Sequence, residues 1–347
     1  MSNVSSKCGV ALTKESPPIS MVELCCGCGA FGYGISQSGI RHLLMVDIDK
    51  NCVKSCKANF PELPDDAIVR ADISSPEFKE YLKSLNLKPD VLVASLPCTS
   101  YSTAGKRQGV KSEAGNLIFD FMQILLLLGE VKVFLLENVM GFLSGNLHEK
   151  PRIEYKTFIY SLFKIMGYSV YEKKLVASDF GVATNRERLF VIGVKDFYED
   201  TIKWPEATHS VPVTVREAIN GVSFSPCGKY SEKENEIFSV LEPGERANAA
   251  LLKSRGVDTD IKNESARYFY RIHPDKPCPT IMANCKKNIC HYEEVRPLSV
   301  TECKACMGMD ESYVLAGSTT AMYRQIGNCV PPVLGMHLGN TVKSLIN

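Results

Sequence analysis

Two apolar runs of this chain each end in a residue that could do chemistry. Residues 91–94 lead into Leu96-Pro97-Cys98 and a polar loop, and residues 133–136 lead into Glu137. In open α/β sheets, ligands bind at the carboxyl ends of the strands. If both runs are parallel strands of one sheet, a thiol and a carboxyl face the same crevice. Taken alone, Glu137 could equally be a carboxylate that caps the next helix.

Cys98 taken alone would most often be a buried thiol that only fills space. Its surroundings favour chemistry instead, because Pro97 precedes it and the following loop carries Lys106, Arg107 and Lys111. Positive charge favours the thiolate, which is the nucleophilic form of the side chain. We therefore expect Cys98 to be a reactive cysteine.

A glycine-rich turn, Gly27-Cys28-Gly29-Ala30-Phe31-Gly32, lies between a predicted strand and a predicted helix. Its glycines permit close backbone approach of a ligand at a helix N-terminus. Asp47 ends the next predicted strand and is placed to hydrogen-bond ribose hydroxyls, and Asp72-Ile73 would suit an adenine edge. The turn alone leaves two ligands open, a nicotinamide dinucleotide and S-adenosylmethionine.

Composition restricts the class of protein. The 347 residues are 45% hydrophobic and 23% charged, with a net charge of +1, as in an ordinary globular protein. No apolar stretch is long enough to cross a bilayer, and residues 1–20 are a polar leader without a secretory segment. We expect an intracellular protein, cytoplasmic in a bacterium or nuclear in a eukaryote.

The fourteen cysteines are expected to be reduced, because the chain is long and has no export signal. Two Cys-x-x-Cys pairs, Cys25/Cys28 and Cys303/Cys306, resemble half of a zinc site. Neither has a nearby His or a second pair at finger spacing, so no metal is expected.

Apolar runs alternate with amphipathic stretches over the first two hundred residues. The strand candidates are 21–25, 43–46, 68–69, 91–94, 133–136, 169–175 and 189–194; the helix candidates are 32–38, 50–59, 78–85, 117–128 and 155–166. This alternation predicts an α/β fold with a doubly wound, mostly parallel sheet.

The pattern changes after residue 203, where Pro and Gly break shorter runs. We predict a disordered leader over 1–20, a large ligand-binding domain over 21–202 plus 318–347, and a smaller irregular domain over 203–317. Helix candidates at 300–307 and 333–345 follow, and the second is expected to pack back on the large domain.

In combination, these segments resemble DNA (cytosine-5)-methyltransferases of the compact bacterial or viral form, from about residue 21 to about residue 340. The resemblance rests on five motifs in the family's order, namely the glycine turn, Pro97-Cys98, Glu137-Asn138-Val139, Arg186-Glu187-Arg188 and Gln325-Ile326-Gly327-Asn328. Pro277-Cys278-Pro279-Thr280-Ile281 and Arg296-Pro297-Leu298 match segments that close the family's target-recognition region. That region would here be residues 203–317.

The resemblance implies a Rossmann-like, S-adenosylmethionine-dependent enzyme that methylates C5 of a cytosine flipped out of double-stranded DNA. Cys98 would attack C6, Glu137 would protonate N3, and Arg188, supported by Arg186, would stabilise charge near O2. The implied cofactor-binding residues are Gly27, Gly29, Phe31, Asp47, Asp72, Ile73, Pro97, Asn328 and Val330. The implied DNA contacts are Ser102, Lys106, Arg107 and Gln325.

One departure from the family pattern concerns the first turn. Cys25-Cys26 stand where the family usually has an aromatic residue followed by a small one, which puts one face of the adenine pocket in doubt.

Other functions compete with this interpretation. One alternative is the same methylation chemistry on tRNA, which is a sister activity. A second is a catalytically silent relative that binds DNA without methylating it. The third is an NAD-dependent oxidoreductase, which the glycine turn alone would fit. The oxidoreductase leaves Cys98 and Glu137 unexplained. We expect double-stranded DNA as the partner and no contact with a membrane. We also expect the protein to be a monomer.

Overall fold

The computed structural model describes residues 18–97, 113–142, 154–196, 202–225, 227–257, 269–285 and 288–346, with side chains omitted at 113–116. The predicted nucleophile Cys98 and the expected DNA contacts Ser102, Lys106 and Arg107 lie outside these ranges.

A seven-stranded sheet forms the centre of the larger part of the molecule. Its strands are β1 (Ser20–Leu24), β2 (Arg41–Asp47), β3 (Ile68–Arg70), β4 (Val91–Ser95), β5 (Val133–Asn138), β6 (Tyr168–Val176) and, after the short β7 (Thr184–Asn185), β8 (Glu187–Lys195). The spatial order is β3-β2-β1-β4-β5-β8-β6. Strands β1 to β5 are mutually parallel, which confirms the predicted doubly wound, mostly parallel sheet.

The chain order reverses between β1 and β4, and this is the point where such sheets bind ligands. The glycine turn leaves the carboxyl end of β1, and Pro97 follows the end of β4. The sheet topology therefore brings the glycine turn and the chain segment that leaves β4 to the same crevice.

Helices cover both faces of the sheet. They are α1 (Ala30–Ser36), α2 (Lys50–Asn59), α3 (Pro76–Ser84), α4 (Glu113–Leu128), α5 (Tyr155–Ile165) and the final helix, α11 (Pro332–Ile346). Residues of α3, α4 and α5 pack on one face, and α1 and α11 pack on the other. The bounds of α2 agree with the prediction, and the Asp49 side chain caps it by accepting from the Asn51 N–H at 2.8 Å.

The final helix packs back on the large domain as predicted, with its backbone close to that of α1. A Cβ on Gly34 would lie 1.8 Å from the Pro332 carbonyl oxygen, and one on Gly335 would lie 2.3 Å from that of Phe31. Only glycine fits at these two positions, because any side chain would separate the helices.

Several element bounds differ from the sequence prediction by a few residues, and two differences have a clear physical reason. Strand β1 ends at Leu24 rather than at Cys25, because Cys25 takes a left-handed backbone with φ of 52°. Strand β8 runs antiparallel to both β5 and β6. Its apolar run carries no signal of direction, so the sequence could not distinguish it from the parallel strands.

The chain after residue 203 has short elements, as its composition predicts. They are α6 (Val215–Ile219), α7 (Glu232–Ser239), α8 (Ala249–Ser254), β9 (Tyr270–Arg271), β10 (Cys278–Pro279), β11 (Ile289–Cys290), α9 (Val300–Cys306) and α10 (Thr319–Asn328). One hydrophobic cluster joins side chains of this region to Cys28 and Ala30 of the glycine turn. This cluster contains residues from both sides of residue 203 and from both sides of residue 317. The predicted domain boundaries at these two positions therefore stay a prediction.

Candidate active site

Glu137 and Arg188 form an ion pair at the carboxyl end of β5. Because β8 runs antiparallel to β5, Asn138 at the end of β5 pairs with Leu189, and Arg188 is the next residue outward. Arg188 Nε lies 2.9 Å from Glu137 Oε1, with the two side chains 13% and 7% exposed. The structure thus brings together two of the three predicted catalytic residues.

The pKa of Glu137 is raised above its usual value. Burial is the main cause, and it outweighs the charges of Arg188 and Arg186 and a hydrogen bond with Ser95, all of which act in the opposite direction. A carboxyl with a raised pKa keeps its proton nearer to neutral pH. Glu137 is therefore suited to donate a proton to a bound base.

Arg186 is almost fully buried and ties three segments together. It donates to the carbonyl oxygens of Ile281 at 3.1 Å and Gly327 at 3.0 Å. Its charge also acts on Glu137. Arg186 thus joins the segments around the Glu137–Arg188 pair, and its supporting role in catalysis stays a prediction.

Asn138 clamps the chain as it leaves β4. Its side-chain Nδ2 donates to the Leu96 carbonyl at 3.0 Å, and its Oδ1 accepts from the Val139 N–H at 2.8 Å. Leu96 is two residues before Cys98 in the sequence. Asn138 belongs to the motif Glu137-Asn138-Val139, and its place directly after Glu137 at a strand end is the sequence signal for this role.

Asp47 holds the glycine turn to the end of β2. One carboxylate oxygen accepts from the Gly27 N–H and the other from the Asp49 N–H, both at 2.8 Å. The backbone φ angles of Gly27 and Gly29 are 57° and 83°, in the left-handed region that glycine adopts freely.

The turn offers space to a ligand on one side only. A Cβ on Gly27 would meet nothing within 4 Å, whereas one on Gly29 would lie 2.8 Å from the Phe60 ring. A turn that is open at Gly27 and carries a carboxylate twenty residues later fits a ribose-containing cofactor.

The other expected cofactor residues take different places. Phe31 and Val330 are buried in the core beneath the turn, and Phe31 packs against Phe190 with ring centroids 5.9 Å apart. Asp72 is exposed, and its Oδ1 accepts from the Ser74 N–H at 2.9 Å. Ile73 is buried, while Pro97 and Asn328 are exposed. Their contact with a cofactor stays a prediction.

Gln325 lies in the interior of the protein. It is 3% exposed, its Oε1 accepts from the Ser55 hydroxyl at 2.6 Å, and its Nε2 donates to the carbonyls of Ala316 and Ala321. Its polar atoms are thus engaged within the protein, and its contact with DNA stays a prediction.

Two broader expectations concern metals and membranes. Within the described residues, no three or more His, Cys, Asp or Glu side chains are arranged to hold a metal ion. In the same part of the chain, no helix is both long enough and apolar enough to cross a bilayer.

Comparison with known proteins bears on the whole chain. The family model of the C-5 cytosine-specific DNA methylases matches residues 19–344. The type II methyltransferase M1.HphI of Haemophilus parahaemolyticus is 30% identical over 338 residues, which cover 93% of this chain and 86% of that protein. The type II methyltransferase M.Eco47II of Escherichia coli is 29% identical over 352 residues, covering 94% and 79%.

Solved structures share the fold at lower identity. The Entamoeba histolytica methyltransferase EhMeth has a TM-score of 0.65 at 14% identity, covering 96% of this chain and 100% of that chain. The Dnmt2 methyltransferase of S. pombe has a TM-score of 0.64 at 14% identity, covering 95% and 99%. Both likenesses confirm the methyltransferase form of the α/β fold.

Proposed function

The chain belongs to the C-5 cytosine-specific DNA methylase family, and from this premise we propose that it methylates C5 of a cytosine flipped out of double-stranded DNA, through a covalent bond to Cys98. The observation that carries the proposal is the buried Glu137–Arg188 pair at the end of β5, next to the strand that leads to Cys98. Two groups that could polarise a ring are thereby held at the end of the strand next to β4.

C5 of cytosine is a poor nucleophile, so it must be activated before it can accept a methyl group. Addition of the Cys98 thiolate to C6 moves electron density toward N3 and O2 and activates C5. Glu137 donates its proton to N3, and Arg188 stabilises the negative charge that develops near O2. After C5 has been methylated, the C5 proton is lost, the Cys98 sulfur leaves C6 as a thiolate, and the N3 proton returns to Glu137, which restores the neutral aromatic ring.

S-adenosylmethionine is the methyl donor of this family, and its sulfonium supplies an electrophilic methyl group. The open side of the turn at Gly27 and the carboxylate of Asp47 support its binding here. We assign its binding to Gly27, Gly29, Phe31, Asp47, Asp72, Ile73, Pro97, Asn328 and Val330. Phe31 and Val330 would act from the core, by holding the turn and the segment after α10 in place.

DNA would enter over the crevice between the two parts of the chain. We propose that residues 203–317 read the target and that the loop carrying Ser102, Lys106 and Arg107 closes over the flipped base and contacts phosphates. A base must leave the duplex before Cys98 can reach C6, and extrusion costs a few kcal/mol. We propose that the protein acts as a monomer.

Expression in a methylation-free host tests this function directly. Bisulfite sequencing of the host DNA should reveal 5-methylcytosine at one recurrent sequence, and none with the Cys98→Ser variant. In vitro, transfer of a labelled methyl group to duplex DNA rather than to tRNA is expected. Labelled tRNA with unlabelled DNA would overturn the choice of substrate.

A further inference from the structure

A tyrosine hydroxyl holds the glycine turn from outside the set of residues assigned to the cofactor. Tyr313 follows α9 and is 4% exposed, and its hydroxyl donates to the Cys28 carbonyl at 2.7 Å. Cys28 stands in the turn between Gly27 and Gly29. The hydrogen bond thus joins the turn to a part of the chain 285 residues away in the sequence.

The two glycines beside Cys28 explain why the turn needs such an anchor. Gly27 and Gly29 have left-handed φ angles of 57° and 83°, and a glycine backbone rotates more freely than that of any other residue. Asp47 holds the Gly27 N–H. The Tyr313 hydroxyl holds the carbonyl between the two glycines, so it limits rotation of the peptide plane that joins Cys28 to Gly29.

The chain between α9 and α10 lies on α2 as a short strap, which we define as residues 313–317. Asn59 Oδ1 accepts from the Val314 N–H, and Asn59 Nδ2 donates to the Val314 carbonyl, both at 2.8 Å. The Ser55 hydroxyl oxygen accepts from the Ala316 N–H at 2.8 Å. These contacts with α2 fix the backbone from which the first side chain of the strap reaches the turn.

An aromatic contact holds the ring of Tyr313 separately from its hydroxyl. The ring meets that of Tyr33 edge to face, with centroids 5.4 Å apart and an interplanar angle of 81°. Tyr33 belongs to α1, which begins directly after the turn. A phenylalanine at position 313 would keep this ring contact and lose only the hydrogen bond to the turn.

We propose that Tyr313 is a positioning residue for S-adenosylmethionine, because its hydroxyl keeps the glycine turn in the shape that receives the cofactor and the strap places that hydroxyl. A turn that is already held in shape loses less freedom when a ligand binds, so the ligand binds more tightly. The inference rests on the proposed cofactor site at this turn. It gives the region assigned to target reading a second role, in cofactor affinity.

Tyr313→Phe tests the hydroxyl, and Tyr323→Phe is its matched control. Both tyrosines are buried in the same hydrophobic cluster and donate to a backbone carbonyl, but the acceptor of Tyr323 is Leu298, which is not assigned to the cofactor. Calorimetry on the full-length protein should show roughly fivefold to tenfold weaker binding of S-adenosylmethionine by Tyr313→Phe, as expected for one lost hydrogen bond. Tyr323→Phe should keep nearly the affinity of the wild type.

Two further measurements separate positioning from a general loss of stability. In turnover, the KM for S-adenosylmethionine should rise in Tyr313→Phe while kcat stays near that of the wild type. In the cofactor-free proteins, amide hydrogen exchange of a peptide that contains Cys28 should be faster in Tyr313→Phe than in the wild type or Tyr323→Phe. Urea unfolding should show similar losses of stability in the two variants.

Asn59→Ala tests the strap, because it removes both bonds to Val314 and leaves the Tyr313 hydroxyl in place. It should weaken cofactor binding in the wild type and add little to the effect of Tyr313→Phe, since both changes act through the same hydroxyl. Asn59 is only partly buried, so this variant keeps the proposal testable even if Tyr313→Phe does not fold.

Three outcomes would overturn the positioning role. They are unchanged affinity in a folded Tyr313→Phe or Asn59→Ala protein, equal losses of affinity in Tyr313→Phe and Tyr323→Phe, and fully additive losses in the double variant. Failure of the wild type to bind S-adenosylmethionine would instead contradict the proposed cofactor site. Binding by the wild type with unchanged affinity in the variants would leave that site standing and remove only the role of Tyr313.

Discussion

Arg188 Nε lies 2.9 Å from Glu137 Oε1 across the end of two antiparallel strands, in a site where both side chains are largely buried. In the proposed function, this contact joins the proton donor for N3 to the cation that stabilises charge near the neighbouring O2 atom. Because the pair forms between backbone positions fixed by the sheet, the two groups are held in place before any substrate arrives.

Glu137→Gln should slow methyl transfer with little effect on folding. Glutamine has the shape of glutamate but no proton to donate to N3, so the rate should fall roughly 10²–10⁴-fold. Single-turnover transfer of a labelled methyl group measures the change, and DNA affinity serves as the control. A rate near that of the wild type would exclude Glu137 as the proton donor.

The pH dependence follows from the raised pKa of Glu137. The protonated carboxyl is the active form, so the rate of the methyl-transfer step should fall as pH rises through this raised pKa. The free energy of unfolding should also fall as the pH rises. A group with a raised pKa contributes stability that is present below its ordinary pKa of 4.5 and is lost as the pH rises through its pKa in the folded protein. The melting temperature of Glu137→Gln minus that of the wild type should therefore increase as the pH rises. A gap that does not change with pH would contradict the raised pKa.

Lysine substitutions at the two arginines should separate positioning from catalysis. Arg186 satisfies two buried carbonyls, and a lysine cannot reach both, so Arg186→Lys should lower the free energy of unfolding by about 1–3 kcal/mol. Arg188→Lys keeps a charge at a less buried position and should mainly reduce the rate. Urea unfolding and single-turnover rates on both variants check the contrast. Equal stability losses would show that Arg186 has no special structural role.

Some of this site follows from the sequence and some does not. Glu137 and the glycine turn were predicted because a strand end or a helix start is a local pattern, and sheet topology then places them together. The interior place of Gln325 depends on Ser55, 270 residues away in the sequence, so no local pattern contains it. The antiparallel direction of β8 likewise depends on its partners and not on its own residues.

Substitution at Gln325 tests whether this residue acts through internal hydrogen bonds or through the predicted contact with DNA. Gln325→Ala removes the acceptor for the Ser55 hydroxyl and the donor to Ala316 and Ala321, so stability should fall by about 1–3 kcal/mol. DNA affinity, measured well below the melting temperature, should be unchanged. A large loss of DNA affinity in a folded Gln325→Ala protein would instead support the DNA contact that the sequence predicts.

In the proposed function Cys98 carries the covalent step, and two experiments on this residue check separate consequences. Cys98→Ser should abolish turnover while keeping DNA affinity, because only the nucleophile is removed and the phosphate contacts remain. A duplex containing 5-fluorocytosine should trap the wild-type protein, since fluorine at C5 cannot leave as a proton does and the sulfur stays bonded to C6. Peptide mapping of the trapped complex should place the adduct on Cys98. An adduct on another cysteine would move the nucleophile away from the end of β4, and the Asn138 clamp on Leu96 would then lose its connection to catalysis.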